Sequence, residues 1–186
     1  LVDGAREIMG LALNKLGYSL NDTNPNHLKE AEKDLHHLAP QVRGVVGDEV
    51  TMMLEQNEGN IAVVWSGVAA PLVQNSDKYN YVIPKEGSNL WFDNMVIPKT
   101  AQNKEGAYKF MNFLLDAKNN KQNTEWVGYA TPNKAARQLL PKEVRDDHRF
   151  YPTQKEQSRL EVYKDLGPKT LGEYNESFLN FKMSLK

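Results

Sequence analysis

The chain has 186 residues, 40% of them hydrophobic and 25% charged, with 23 Lys and Arg against 24 Asp and Glu for a formal net charge of -1. That mix excludes disorder as a description of the whole chain, and the near balance argues against nucleic-acid recognition through a large basic face. No run approaches the roughly 18 uninterrupted apolar residues of a membrane-spanning helix, and the absence of cysteine removes disulfides, thiolate nucleophiles and cysteine-based metal sites. A cysteine-free chain tolerates oxidising and reducing compartments alike, so location stays open. The first residue is Leu1 and no charged-then-apolar leader follows it, so either a leader has been removed or the sequence is a piece of a longer protein.

In chain order, Asp3 to Leu16 reads as an amphipathic helix with Ile8, Leu11, Ala12 and Leu16 roughly on one side and Gly17 as its stop. A second helix is expected from about Asn26 to Leu38, closed by Pro40, followed by a short strand over Val42 to Val46. Asp48 is the expected N-cap of a helix carrying Val50, Met53 and Leu54. Ile61 to Trp65 reads as a continuous apolar strand of the kind buried on both faces in α/β sheets, and Ser66-Gly67 opens a helix through about Val73. Two further strands are expected, Asn80 to Ile83 and Asn89 to Ile97. Asn103 then caps a helix in which Ala107, Phe110, Met111 and Leu114 recur at helical spacing. Helices over Lys121–Val127, Asn133–Leu140, Lys155–Tyr163 and about Thr170 to Leu185 complete the chain. Helices alternating with few, short strands give an α/β class. That imbalance fits lobes of a larger molecule better than one complete doubly wound sheet.

Leu90-Trp91-Phe92-Asp93 is the most informative stretch. On a strand Trp91 and Asp93 share a face, and an indole beside a carboxylate suits a cation with an apolar stem; the plainer alternative is a core Trp with an edge Asp bonded to a turn. Trp65 ends an apolar strand, where ligands of open α/β folds lie, or else caps the core there. Asp3 and Glu7 are one turn apart: Asp3 reads best as an N-cap, and Glu7 as a solvated residue or a second anchor for an amine. Tyr129, in the loop Gly128–Asn133, offers a ring and a hydroxyl, or is simply structural. His36 and His37 cannot share a helix face, and His27 and His148 have no evident ligand partner, so no metal is expected. Asp146-Asp147-His148 reads as solvated charge in a connector. No phosphate loop, nucleophile elbow or zinc helix motif is present, so neither a cofactor nor catalysis is expected.

Asp3-Gly4-Ala5-Arg6-Glu7, Leu16-Gly17-Tyr18-Ser19, Val64-Trp65-Ser66-Gly67, Pro84-Lys85-Glu86-Gly87, Leu90-Trp91-Phe92-Asp93, Asn103-Lys104-Glu105-Gly106-Ala107 and Gly128-Tyr129-Ala130-Thr131-Pro132-Asn133 stand in one order and spacing. Together they closely resemble the C-terminal portion of the spermidine/putrescine-binding proteins of bacterial polyamine ABC transporters. The resemblance implies a two-lobed, type II periplasmic-binding-protein-like fold, with an N-terminal portion absent. It implies residues 1–90 mainly in the second lobe, a segment 91–140 belonging to the first lobe, and a helical tail 141–186 returning to the second.

It also implies ligand-lining roles for Trp65 and Trp91, an amine-gripping carboxylate at Asp93, a further amine anchor at Glu7, and a site tyrosine at Tyr129. Two departures stand out. Gly4 stands where some relatives carry a second acid, which implies one amine contact either missing or shifted to Asp3, and Tyr163 stands where some relatives have a glutamine, at the polar end of the cleft. Implied partners are a polyamine and the membrane permease of an ABC transporter, outside the cytoplasmic membrane, periplasmic or lipid-tethered. A truncated lobe would expose apolar surface and favour self-association. The competing readings are a receptor for another cation or a sugar, an enzyme on a related fold, and a helical interaction module.

Overall fold

The computed structural model describes residues Leu1–Leu185. They form two compact units: unit 1 comprises Leu1–Trp65, Val82–Trp91 and Gln154–Lys186 as bounded, and unit 2 comprises Ser66–Tyr81 and Phe92–Thr153. Residues 66–81 group with 92–153, and the chain re-enters unit 1 at Val82 and again at Gln154.

Unit 1 is built on three helices: α1 (Ala5–Lys15), α2 (Pro25–Leu38) and, at the end of the chain, α10 (Gly167–Met183). The stop of α1 is chemical: Gly17 takes φ +83, and the Tyr18 N–H donates back to the Leu13 carbonyl at 2.9 Å. The start of α2 combines Pro25 in the first turn with an Asn24 side chain that accepts from the Asn26 N–H at 3.0 Å. Ile8, Met9, Ala12 and Leu13 of α1, Leu28, Ala31 and Leu35 of α2, and Tyr174, Phe178 and Phe181 of α10 form one buried cluster, with Trp65 packed partly buried against it. Each fully buried Leu, Ile or Phe contributes about 1.5–3 kcal/mol.

Around these helices unit 1 adds α3 (Val50–Glu55) and a two-stranded parallel pair, Ser88–Asn89 (β1) with Leu160–Glu161 (β2). The segment expected as a strand at Val42–Val46 contributes a single parallel bridge, Val46 to Val2. There the Val46 N–H donates to Leu1 at 2.9 Å. Asp48 does not cap α3: its flanking residue is Glu49, with no side-chain capping bond.

Unit 2 comprises α4 (Ser66–Asn75), α5 (Lys104–Leu115), α6 (Ala117–Val127), α7 (Lys134–Leu139) and α8 (Lys142–Arg145). The caps follow the sequence closely. Asn103 Oδ1 accepts from the Gly106 N–H at 2.8 Å, Asp116 Oδ1 from Lys118 and Asn119, and Asn133 Oδ1 from Ala135 and Ala136 at 3.1 Å each. Ala69, Ala70 and Leu72 of α4 are buried, as are Ala136, Leu140 and Tyr151, whereas α5 has no buried residue.

Three expected strands are not strands. Residues 61–65, 80–83 and 91–97 adopt no regular structure, and Ile61 is 93% exposed. The apolar pattern of a strand is a property of one segment, but a strand exists only where a second segment supplies the ladder. Among the described residues none does so here. The helix expected over Lys155–Tyr163 is likewise a short α9 (Gln154–Gln157) followed by β2, because residues 160–161 find a ladder partner in β1.

Candidate functional site

Within unit 1, Arg6 and Glu7 leave adjacent positions of the first turn of α1. The Arg6 guanidinium lies over the Tyr163 ring at 4.6 Å and the Tyr174 ring at 5.0 Å. It donates to Asn21 Oδ1 at 2.8 Å and to the Leu20 carbonyl at 3.4 Å. Asn21 Oδ1 also accepts the Lys164 N–H at 2.9 Å. Glu161 takes bonds from the Ser19 hydroxyl and, at 3.1 Å, from the Leu20 N–H.

The cation is therefore fixed by two rings and an amide, which leaves Glu7 half-buried and with no basic side chain in ion-pair contact among the described residues. Burial first, and then the negative charge of Glu7, push the Tyr163 phenol far above its usual range; burial likewise pushes Tyr174 up to about 12. A carboxylate left unneutralised beside a half-buried ring is chemically suited to an incoming ammonium.

Asp3 does not cap α1. The N-cap is Gly4, without a side-chain capping bond, and the Asp3 carboxylate instead pairs with Lys182 Nζ of α10, 2.9 Å from each oxygen. Trp65 lies against the unit 1 core and Trp91 is half-buried.

Within unit 2, Tyr129 lies flat on the first turn of α4. A Cβ built on Gly67 would stand 2.4–2.5 Å from three atoms of the Tyr129 ring, so only glycine fits beneath it. Pro71 has no N–H to return to the Gly67 carbonyl, and Gly128 lies against that same carbonyl. Burial and the neighbouring Tyr129 raise the Tyr81 phenol, whose ring stacks on Phe150 at 5.4 Å. Asp93, expected on a strand face shared with Trp91, sits exposed in a segment without regular structure.

The stretch expected to be solvated charge is more ordered than that. Asp147 accepts from Arg149 Nε and Nη2 at 3.0 and 2.7 Å, and this bond holds its carboxyl below the usual carboxylate value. His27 stacks on Tyr18 at 3.8 Å and bonds Asp22 at 2.8 Å.

Of the residues singled out from sequence, Glu7 is close enough for its charge to raise the Tyr163 phenol, Asp3 is turned to Lys182, and Tyr129 lies against Gly67. Sequence reasoning missed Arg6, Tyr174 and Gly67. Arg6 had a visible signal, a cation next to Glu7 in a first helical turn, where the dipole disfavours it unless tertiary partners hold it. Tyr174 and Gly67 carry no local signal, because their contacts come from distant segments. A shallow depression on α2 lined by Lys29, Glu32, Lys33 and His36 contains none of the expected site residues.

Residues 2–152 match the family model described as bacterial extracellular solute-binding protein. The chain is 41% identical over 167 residues to the spermidine/putrescine-binding periplasmic protein of Salmonella typhimurium, covering 90% of this chain and 48% of that one. Among solved structures, it is similar to a Listeria monocytogenes protein assigned to spermidine/putrescine ABC transport, with 56% identity, a TM-score of 0.91, and coverage of 98% of this chain and 56% of that one. A spermidine/putrescine ABC transporter substrate-binding protein of Streptococcus pneumoniae gives 47% identity and a TM-score of 0.88 over 100% of this chain and 57% of that one.

The chain therefore spans about half the length of the relatives it matches. Its fold is the α/β, two-lobed solute-binding-protein fold over that span. No helix of the described residues is long and apolar enough to cross a membrane. On the family match and the agreement in fold, the chain belongs to the bacterial extracellular solute-binding proteins.

Proposed function

We propose that this chain serves a receptor for polyamines, spermidine or putrescine, that delivers them outside the cytoplasmic membrane to the permease of an ABC transporter and performs no catalysis. Unit 1 then corresponds to the second lobe and unit 2 to the part of the chain that returns to the first. The observation that carries the reading is the 56% identity and 0.91 TM-score to the Listeria protein over nearly the whole chain.

Chemistry supports it. A polyamine is a row of ammoniums joined by apolar stems, so its site calls for spaced carboxylates with flat rings between them. The ligand-lining set is Trp65, Trp91, Asp93, Glu7 and Tyr129, with Tyr163 beside Glu7. Asp3 stays in the set as a carboxylate that an amine has to win from Lys182.

The test is a thermal-shift panel of putrescine, spermidine, spermine and arginine, run on this chain and on one extended N-terminally to the length of the relatives. A ligand at 100-fold over its Kd raises Tm by about 5–10 °C for a protein of this size. We expect that shift with spermidine or putrescine on the extended chain, and a much smaller one on the 186-residue chain, which lacks part of the enclosure. No shift with any polyamine on the extended chain would sink the reading.

The apolar side chains exposed on unit 2, Trp126 and Phe110 among them, also favour self-association of the 186-residue chain. Sedimentation velocity across a concentration series should show a rising mean mass that the extended chain does not. A constant monomer mass would remove that part.

A further inference from the structure

Gly4 occupies the N-cap of α1 with φ -154 and ψ 119, an extended backbone that any residue adopts. The conformation therefore gives no reason for glycine. The space does. A Cβ built on Gly4 would stand 2.2 Å from Glu7 Oε2, 2.9 Å from its Cδ and 3.4 Å from its Cγ. The Glu7 side chain has folded back over the start of the helix and filled the volume that a side chain at position 4 would take.

The surroundings close off the alternatives. Lys182 is engaged by Asp3 through both oxygens at 2.9 Å, and Arg6 is held over Tyr163 and Tyr174 and bonded to Asn21. Neither nearby cation neutralises Glu7, whose charge is felt instead by the Tyr163 phenol.

We infer that Gly4 is the positioning residue for Glu7: by having no side chain, it keeps the Glu7 carboxylate folded back and unneutralised near Tyr163, where it receives a ligand amine. This rests on the reading of Glu7 as an amine anchor. The group that a Cβ displaces is the far end of a flexible side chain, so a substitution moves the carboxylate and leaves the fold in place.

The test is NMR on the full chain with putrescine as probe, which reads dissociation constants into the millimolar range. Without ligand, a nuclear Overhauser contact between the Gly4 Hα protons and Glu7 Hγ is expected, and its absence overturns the inference whatever the binding data show. In titrations, Gly4→Ala should weaken putrescine by about tenfold, with Tm changed by no more than a few degrees. Glu7→Gln should weaken it at least as much, and the double variant no further than Glu7→Gln alone. Unaltered binding by Gly4→Ala beside impaired Glu7→Gln overturns the inference and leaves the anchor standing. Unaltered binding by Glu7→Gln overturns the anchor, and this inference with it.

Discussion

Unit 1 and unit 2 differ in how completely they bury the large apolar side chains of their helices. In unit 1, Ile8, Met9, Leu13, Leu35, Tyr174 and Phe181 are all but sealed from solvent, and three helices from the two ends of the chain close around them. In unit 2 the buried apolar residues are fewer, Ala69, Ala70, Leu72, Ala136, Leu140 and Tyr151, while Phe110 and Phe113 of α5 are 60% and 59% exposed. Both units contain amphipathic helices, and both have side-chain N-caps, at Asn24 in unit 1 and at Asn103, Asp116 and Asn133 in unit 2. What separates them is whether a second apolar face is at hand. Helix caps and periodicity give local order, but the burial that stabilises a fold requires a partner surface. Unit 1 contains its partner surfaces and unit 2 lacks one for α5 among the described residues.

The sharpest way to break this contrast is a matched pair of truncations. Phe181→Ala in unit 1 should cost about 3–5 kcal/mol in denaturant unfolding, the range for emptying a buried aromatic site. Phe113→Ala in unit 2 should stay within about 0.5 kcal/mol, as at exposed positions. Comparable losses at the two sites would abolish the distinction.

A smaller effect probes the polar side of the unit 1 core. The Tyr174 hydroxyl donates to the carbonyls of Asp22 at 2.8 Å and Leu20 at 3.2 Å, so Tyr174→Phe should cost about 1–2 kcal/mol. Burial raises this phenol from 10.0 to about 12, so the protonated form is favoured in the fold. The stability it contributes is complete below pH 10 and disappears as pH climbs through about 12. Alkaline melting of the Phe variant should therefore be shallower than that of the unaltered chain.

The smallest effect belongs to unit 2. Asp147→Asn should cost about 1 kcal/mol by removing the fork to Arg149. The Asp147 carboxyl is depressed below 3.8, so its contribution is present above that pH and is lost as pH falls through the lower folded value. Near-UV signals from Tyr151 and Phe150 follow this site; an acid transition identical in the Asn variant would show that the pair contributes nothing.

Much of the helical framework was legible in the residues alone. Gly17, Asn103 and Asn133 punctuate helices by their own chemistry, and the i, i+3, i+7 spacing of Leu28, Ala31 and Leu35 describes a buried face without reference to anything else. The strands were not legible. Ile61 to Trp65 has the composition of a buried strand, yet what makes a strand is a neighbour. Conversely Leu160 and Glu161 look helical by spacing and become a strand because β1 lies alongside. At the site, Glu7 was visible as a second acid on the first turn. Its release from any basic partner was not, since that depends on Arg6 being held by Tyr163, Tyr174 and Asn21, residues up to most of the chain away.

The loop that carries Tyr129 is tied at several points: Thr131 Oγ1 donates to Asn120 Oδ1 at 2.6 Å and accepts from the Asn133 N–H at 3.0 Å, and the Asn133 amide donates to the Leu115 carbonyl at 2.8 Å. The Thr131 N–H meets the Tyr151 hydroxyl at 3.2 Å. With its backbone anchored and its ring lying against bare Gly67, the Tyr129 side chain has little torsional freedom left to surrender. Whatever docks against that ring meets a surface already set, and the entropic penalty of ordering it was met when the chain folded.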